Sequence, residues 1–346
     1  MSVSGMSSFS LRADRRSLSL QRGWFIGGLS ALLLAIFALT LMLGQSFTPP
    51  GDVLKVLLGQ DVEGASFAVG QLRLPRAVLS ILAGLSFGMA GVAFQTMLRN
   101  PLASPDIVGV SSGASAGAVF AIVVLSLKGT AVSFFAVASG LGVALAVYGL
   151  SFRNGVAGTR LILVGIGVSA MLESAIAYIL TQAPEWNLQE AMRWLTGSVN
   201  GAQLSQAWPL LAVLVVCGGV LLTTSRNLTA LRLGDDTAGA LGVRVSVTRL
   251  LVIVAAVGLI ATATAATGPI AFVAFLSGPI AARLVGPRGS LLVPAALIGA
   301  LLVLAGDYVG QFLMPMRYPV GVVTGALGAP YLIYLLVRAN KSGSTL

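Results

Sequence analysis

The chain has no histidine and a single cysteine, so the residues able to do chemistry are few. Two carboxylates, Glu173 and Asp307, lie inside long apolar runs. A charged side chain at the centre of a bilayer costs about 2.5–3.5 kcal/mol on insertion scales, so each must face water or a partner. There a carboxylate can pair with a cation, exchange a proton or line an aqueous path. Asp307 falls near the end of its run, where a local pair suffices. Glu173, in SAMLESAIAY, lies deeper and is the candidate path residue, either wetted or held neutral by burial. Proton coupling through it is one reading, although no histidine or lysine relay accompanies it.

A third acidic feature is the segment LRLGDDTAGALGVRVSVTR, residues 231–249, in a chain of which 9% is charged. Gly234 followed by Asp235 and Asp236 reads as a helix start, where carboxylates meet the positive end of the backbone dipoles. Ala238, Leu241 and Val245 share one helical face, with Thr237, Ala240 and Arg244 near another, and Gly242 divides the segment into two short pieces. Such a segment lies flat on a membrane or serves as a docking knob for another protein. Spacing alone leaves both readings open.

Catalysis by this chain has little to work with. Cys217 sits in an apolar run, with no second cysteine for an intrachain disulfide and no histidine for a metal site. No Gly-x-x-x-x-Gly-Lys-Ser/Thr run surrounds any lysine, so ATP, if it powers this chain, is bound by another subunit.

The elements that must position these residues are membrane helices. The chain is 56% hydrophobic with a mean hydropathy of +0.94, too apolar for a soluble protein. The apolar runs predict ten spans near 24–44, 77–98, 107–127, 132–152, 161–181, 207–224, 250–267, 269–285, 291–313 and 319–337. The fold class expected is an all-α polytopic membrane protein: a tail over 1–23, a membrane region over 24–338 and a tail over 339–346. With the N-terminus inside, that side carries 15 of the 21 Lys and Arg residues, and the other six are Lys55, Arg73, Arg76, Lys128, Arg193 and Arg317. The asymmetry follows the positive-inside rule, places both termini in the cytoplasm and explains a net charge of +10 without nucleic acid.

Glycine spacing predicts close helix packing. Gly109, Gly113 and Gly117 recur every fourth residue, and the pairs Gly84 and Gly88, Gly321 and Gly325 repeat the interval. Arg73 and Arg76 flank Pro75 at the outer mouth of the second span. They suit interfacial anchoring or a cationic patch for an acidic partner. Trp186 and Trp194 fit an outer interfacial belt around a short surface helix.

Three stretches taken together resemble the FecCD-type permeases of ABC importers, the BtuC-like subunits that carry iron–siderophore complexes, haem and vitamin B12. They are RLPRAVLSILAGLSFGMAGVAFQTMLRNPLASPDIVGVSSGASAGA, LGDDTAGALGV and PVGVVTGALGAPYLIYLL, within a likeness extending over about residues 24–338. The resemblance implies a type II importer permease of ten spans in the cytoplasmic membrane. It implies a second permease subunit, with a non-identical sister favoured, two cytoplasmic ATPases that bind ATP and Mg, and an external siderophore-binding protein. It assigns Gly234, Asp235, Asp236, Thr237, Leu241, Gly242 and Val243 to the coupling helices that engage the ATPases. Arg73 and Arg76 match family arginines that pair with glutamates of the binding protein, and the fifth span, with Glu173, borders the path.

The pattern also departs from the family. Gln311 stands where many relatives carry an arginine after Ala-Asp-x-x-Ala, and Arg317-Tyr318-Pro319 replaces Glu-Leu-Pro, which makes Arg317 a candidate substitute docking charge. SGPIAAR replaces Pro-His-Ile-Ala-Arg. The activity expected is ATP-driven import of a ferric siderophore, without catalysis by this chain. Haem or cobalamin import is the alternative within the family. A proton-coupled transporter using Glu173 and a non-transporting membrane scaffold are the alternatives outside it.

Overall fold

The computed structural model describes residues 8–151, 158–286 and 289–341, and every regular element among them is helical. The ends of the two expected tails, Arg153 and Arg288 lie outside the described residues, as do the side chains of Arg12, Arg15, Arg16, Arg338 and Lys341.

Helix α1 (Ser8–Met42) leads through a Pro-Pro turn into the short α2 (Pro50–Leu57). A π-helical stretch (Ser66–Arg73) then runs into α3 (Leu74–Met97). Pro75 has no N–H to offer the preceding turn, and the widened ladder absorbs the loss, with the Leu74 N–H reaching the Val69 carbonyl. Next come α4 (Val110–Val123), α5 (Thr130–Ser151), α6 (Gly158–Thr181), the short α7 (Glu185–Leu195) and α8 (Leu204–Thr223). Two short helices, α9 (Ser225–Leu231) and α10 (Asp235–Ala240), precede α11 (Val245–Thr267). The chain closes with α12 (Val273–Val285), α13 (Leu292–Tyr308) and α14 (Val320–Lys341).

Among the described residues, seven helices are long and apolar enough to cross a membrane, and three shorter apolar helices, Val110–Val123, Val273–Val285 and Val320–Leu335, accompany them. Together they occupy the ten expected positions, and the chain is a multi-pass membrane protein. Two helices are shorter than expected. The run predicted over 107–127 yields only α4, because Pro105 opens a tight 3-10 turn that Gly109 closes in the left-handed region at φ 79°. The run predicted over 269–285 begins helically only at Val273, after Gly268 (φ 71°), Pro269 and Phe272 (φ 64°) have broken the chain away from α11.

The core is built around α3, whose neighbours approach to backbone distance. A Cβ added at Gly84 would lie 2.4 Å from the Gly299 carbonyl oxygen, and one at Gly88 2.2 Å from that of Ala295, so α3 and α13 meet with no room for a methyl group. Gly91 makes the same approach to Ala274 of α12. Gly113 and Gly117 receive Val143 and Ser139 of α5. Gly109 does two jobs, capping the turn before α4 and packing against the same Val143 as Gly113, 3.3 Å from where its Cβ would stand.

Candidate functional site

The α10 end of the bundle presents the acidic segment. Gly234 (φ 106°) precedes α10, and Gly242 (φ 84°) follows it in a four-residue link, 241–244, that ends where α11 starts at Val245. The segment is therefore one short helix and the first turn of a long one, so Ala238 and Val245 belong to different helices. Ala238 is fully buried, and its carbonyl accepts from the Val243 N–H at 3.0 Å. Asp235 turns toward the body of the protein: Arg249 Nη2 donates to its two oxygens at 2.9 and 2.8 Å, and Arg99 Nη2 lies 3.7 Å away. Asp236, Thr237, Leu241 and Gly242 are exposed, Leu241 to 64%. Val243 is half-buried. What projects from this end is thus a small knob of mixed polarity, tied down along one face. The pairing of Arg249 and Arg99 with Asp235 was not readable in the sequence, where both arginines counted only toward the charge of the inner side.

At the opposite end, which carries α2 and α7, the three candidate docking arginines have different surroundings. Arg73 faces inward. Its Nη1 donates to the carbonyls of Leu41 (2.9 Å) and Met42 (3.1 Å) and to Thr48 Oγ1 (3.1 Å), and its Nη2 donates to the Ser46 carbonyl (2.7 Å). It thereby holds the end of α1 and the turn into α2. Arg76 makes a two-pronged pair with Asp307, Nε to Oδ2 at 2.5 Å and Nη2 to Oδ1 at 2.6 Å, with the carboxylate side chain only 4% exposed. The charge that sequence reading marked as needing a partner has one, supplied from α3. Arg317 is exposed in the connection between α13 and α14.

A joint beside these residues gathers α7, α11 and α14. Thr267 O accepts from the Ser198 N–H at 2.6 Å, and Gly197 O accepts from the Gly321 N–H at 3.0 Å. A Cβ at Gly321 would lie 2.1 Å from the Thr196 carbonyl oxygen, so the glycine at the start of α14 admits the end of α7. Under α7 opens a cavity of about 220 Å³ whose walls include Ser133, Glu190, Arg193, Trp194, Asn200 and Gln206. That is less than the roughly 300–1,000 Å³ of pockets that enclose drug-sized ligands.

Glu173 is exposed on α6, on a helix whose Leu163, Ile166, Met171 and Tyr178 are each more than half exposed. Among the described residues no hydrogen bond or ion pair holds its carboxylate. A carboxylate on an apolar helix, without a partner among the described residues, marks a face that meets water or another protein chain.

Comparison with known proteins accords with this geometry. The pattern of the FecCD transport family matches residues 32–338. The ferric enterobactin transport system permease protein FepG of Escherichia coli (strain K12) is 40% identical over 294 residues, 84% of this chain and 88% of that one. The achromobactin transport system permease protein CbrC of Dickeya dadantii (strain 3937) is 39% identical over 312 residues, 89% of each chain. Among solved structures, a metal-chelate type ABC transporter in an inward-facing conformation superposes with a TM-score of 0.80 at 26% identity, covering 92% of this chain and 99% of that one. The chain belongs to the FecCD transport family.

Proposed function

We propose that this chain is the membrane-spanning permease subunit of an ABC importer that carries a ferric siderophore across the cytoplasmic membrane. The observation that carries the reading is the α10 knob, exposed on one face and anchored on the other. It suits a surface on which a separate ATPase acts, and it sits at the end where the excess of arginine predicts cytoplasm. On this reading both termini are cytoplasmic and α7 is outside. ATP and Mg reside on two partner ATPases, and all ten apolar helices cross or enter the membrane.

The path is formed with a second permease. The cavity within one chain is too small for a metal chelate, whereas the open face of α6, with Glu173, has the polarity and exposure of a wall shared between two chains. A non-identical sister is favoured by the departures at Gln311 and Arg317. An external binding protein delivers the chelate, and Arg317 is the docking residue left free, since Arg73 and Arg76 are engaged internally. The free energy for transport comes from the ATPases, and each permease state exposes the path to one side.

Import of radioiron-labelled ferric enterobactin and ferric achromobactin by cells deprived of this chain, then complemented with it, tests the reading. Uptake that returns with the chain, stops on ATP depletion and persists with a protonophore supports it. Uptake that follows the proton gradient instead would sink it.

A further inference from the structure

We infer that the adjacent aspartates divide the work of coupling. Asp235, gripped by Arg249 and Arg99, is a positioning residue that fixes α10 to the long helix α11 and to the end of α3, while Asp236 faces the ATPase. This deepens the coupling reading above and rests on it.

The argument begins with the link between α10 and α11. Four residues, Leu241 to Arg244, connect them, and Gly242 sits in the left-handed region at φ 84°. The N–H hydrogen bonds of this link run back to α10, from Leu241 to Thr237, Gly242 to Gly239 and Val243 to Ala238, so they leave α10 free to pivot against α11. The ion pair removes that freedom: Arg249 lies in the first turn and a half of α11, and its Nη2 reaches the two Asp235 oxygens at 2.9 and 2.8 Å. Arg99, just beyond α3, adds a second strut at 3.7 Å. Its backbone is held at φ 53°, a conformation uncommon outside glycine that persists where surrounding structure maintains it. Ala238, one turn on from Asp235, is fully buried, so the gripped face is also the packed one.

The far end of α11 is tied as well. The helix is unbroken over 23 residues, a length of about 34 Å at 1.5 Å per residue, and so traverses a hydrocarbon core. It ends at Thr267, whose carbonyl accepts from Ser198 directly after α7. A displacement of α10 is therefore delivered, through one ion pair and one continuous helix, to the joint of α7, α11 and α14. Helix α3 runs beside this route, with Arg99 just beyond one end and Arg76 donating to Asn200 Oδ1 at 3.4 Å near the other.

The test uses the whole transporter, purified with its own ATPases and reconstituted in liposomes. Two readouts are taken: ferric enterobactin imported per ATP hydrolysed, and the rate at which an impermeant maleimide labels Met192→Cys on α7 with and without ATP, in a Cys217→Ser background. Arg249→Gln is expected to keep the ATPases in the complex while import per ATP falls about tenfold, the size of a typical coupling between sites. The ATP-dependent change in labelling should disappear with it. The exchange Asp235→Arg with Arg249→Asp should restore part of both, since the pair is remade while Arg99 loses its partner, and a loss of general stability would not be reversed by it. Unchanged import per ATP and unchanged labelling in Arg249→Gln overturn the inference. If that variant does not accumulate, Arg249→Met, which keeps the apolar stem and removes the donating nitrogen, is judged by the same two criteria. Asp236→Lys tests the underlying reading separately: it should release the ATPases, and a complex that retains them refutes the coupling role of the knob whatever Arg249 does.

Discussion

Gln95 of α3 donates from Nε2 to the carbonyl oxygen of Phe275 in α12 at 2.9 Å, both groups buried. The acceptor is the one that a helix would pair with the N–H four residues on, and that residue is Pro279, which has none. Gly278 makes the reach possible, since a Cβ there would lie 1.9 Å from Gln95 Oε1. The proline inside α12 is thus matched by a side chain about 180 positions away in the sequence.

Replacing Gln95 by leucine should leave that carbonyl buried and unpaired, at a cost of about 1–3 kcal/mol. Pro279→Ala in the same background returns a backbone N–H and should recover part of the loss. Thermal unfolding of the four proteins in detergent gives the cycle, and strictly additive effects would argue that the two sites are unconnected.

The pair between Arg76 and Asp307 is nearly excluded from water, so losing one partner is worse than losing both. Arg76→Met leaves a carboxylate in an apolar surround and should cost about 3–5 kcal/mol, more than Arg76→Met combined with Asp307→Leu. An unfolding midpoint for the double variant at or below that of Arg76→Met would show that the ion pair is not what holds α3 to α13 there.

Alanine at Gly84 or Gly88 should push α3 from α13, because the added methyl would stand 2.4 or 2.2 Å from a carbonyl oxygen. Overpacking of this kind costs about 1–3 kcal/mol and should reduce the folded protein recovered from membranes. Gly142→Ala, which meets nothing within 4 Å, is the matched control. Equal recovery of all three would contradict the close approach.

These relationships explain what was legible beforehand. The bundle was readable because an apolar helix announces itself locally: the runs over 132–152 and 161–181 lie within two or three residues of the ends of α5 and α6. Helix breaks were harder, since Phe272 at φ 64° is not a residue type that signals a turn, and the apolar run continues through it. Gly109, Gly113 and Gly117 show one spacing serving two purposes, a cap and a packing face. The partners of charged groups were not readable at all. Arg73 finds main-chain carbonyls 31 and 32 positions earlier, and Arg76 finds Asp307 231 positions later, pairings that only the assembled bundle creates. The knob fared better because its glycines and aspartates are contiguous, yet Asp235 and Asp236 look alike in sequence and differ only in what each faces.

Arg317 and Arg73 should separate docking from folding. Arg317→Glu is expected to slow association with the external binding protein at low salt, with the difference shrinking as ionic strength rises, as for an exposed steering charge. Arg73→Gln removes donors to Leu41, Met42, Thr48 and Ser46, so its main effect should be a lower unfolding temperature. Surface plasmon resonance across a salt series distinguishes them. An association rate that responds to Arg73→Gln and ignores Arg317→Glu would return the docking role to the first arginine.

Glu173 decides whether the open face of α6 is wet. A carboxylate directed into lipid is disfavoured by about 2.5–3.5 kcal/mol, whereas one beside an aqueous path keeps its hydration. With Cys217 replaced by serine, Glu173→Cys in the assembled transporter should react readily with an impermeant maleimide. Val215→Cys on α8, where the side chain is 65% exposed among apolar neighbours, should react slowly. Glu173→Gln keeps a polar group in the path and should sustain ATP-driven import in the presence of a protonophore. Equal, slow labelling of the two cysteines would place Glu173 against lipid or protein and remove it from the path. Import abolished by Glu173→Gln and collapsed by the protonophore would instead make the carboxylate a proton carrier, and the ATPases would lose their place in the mechanism.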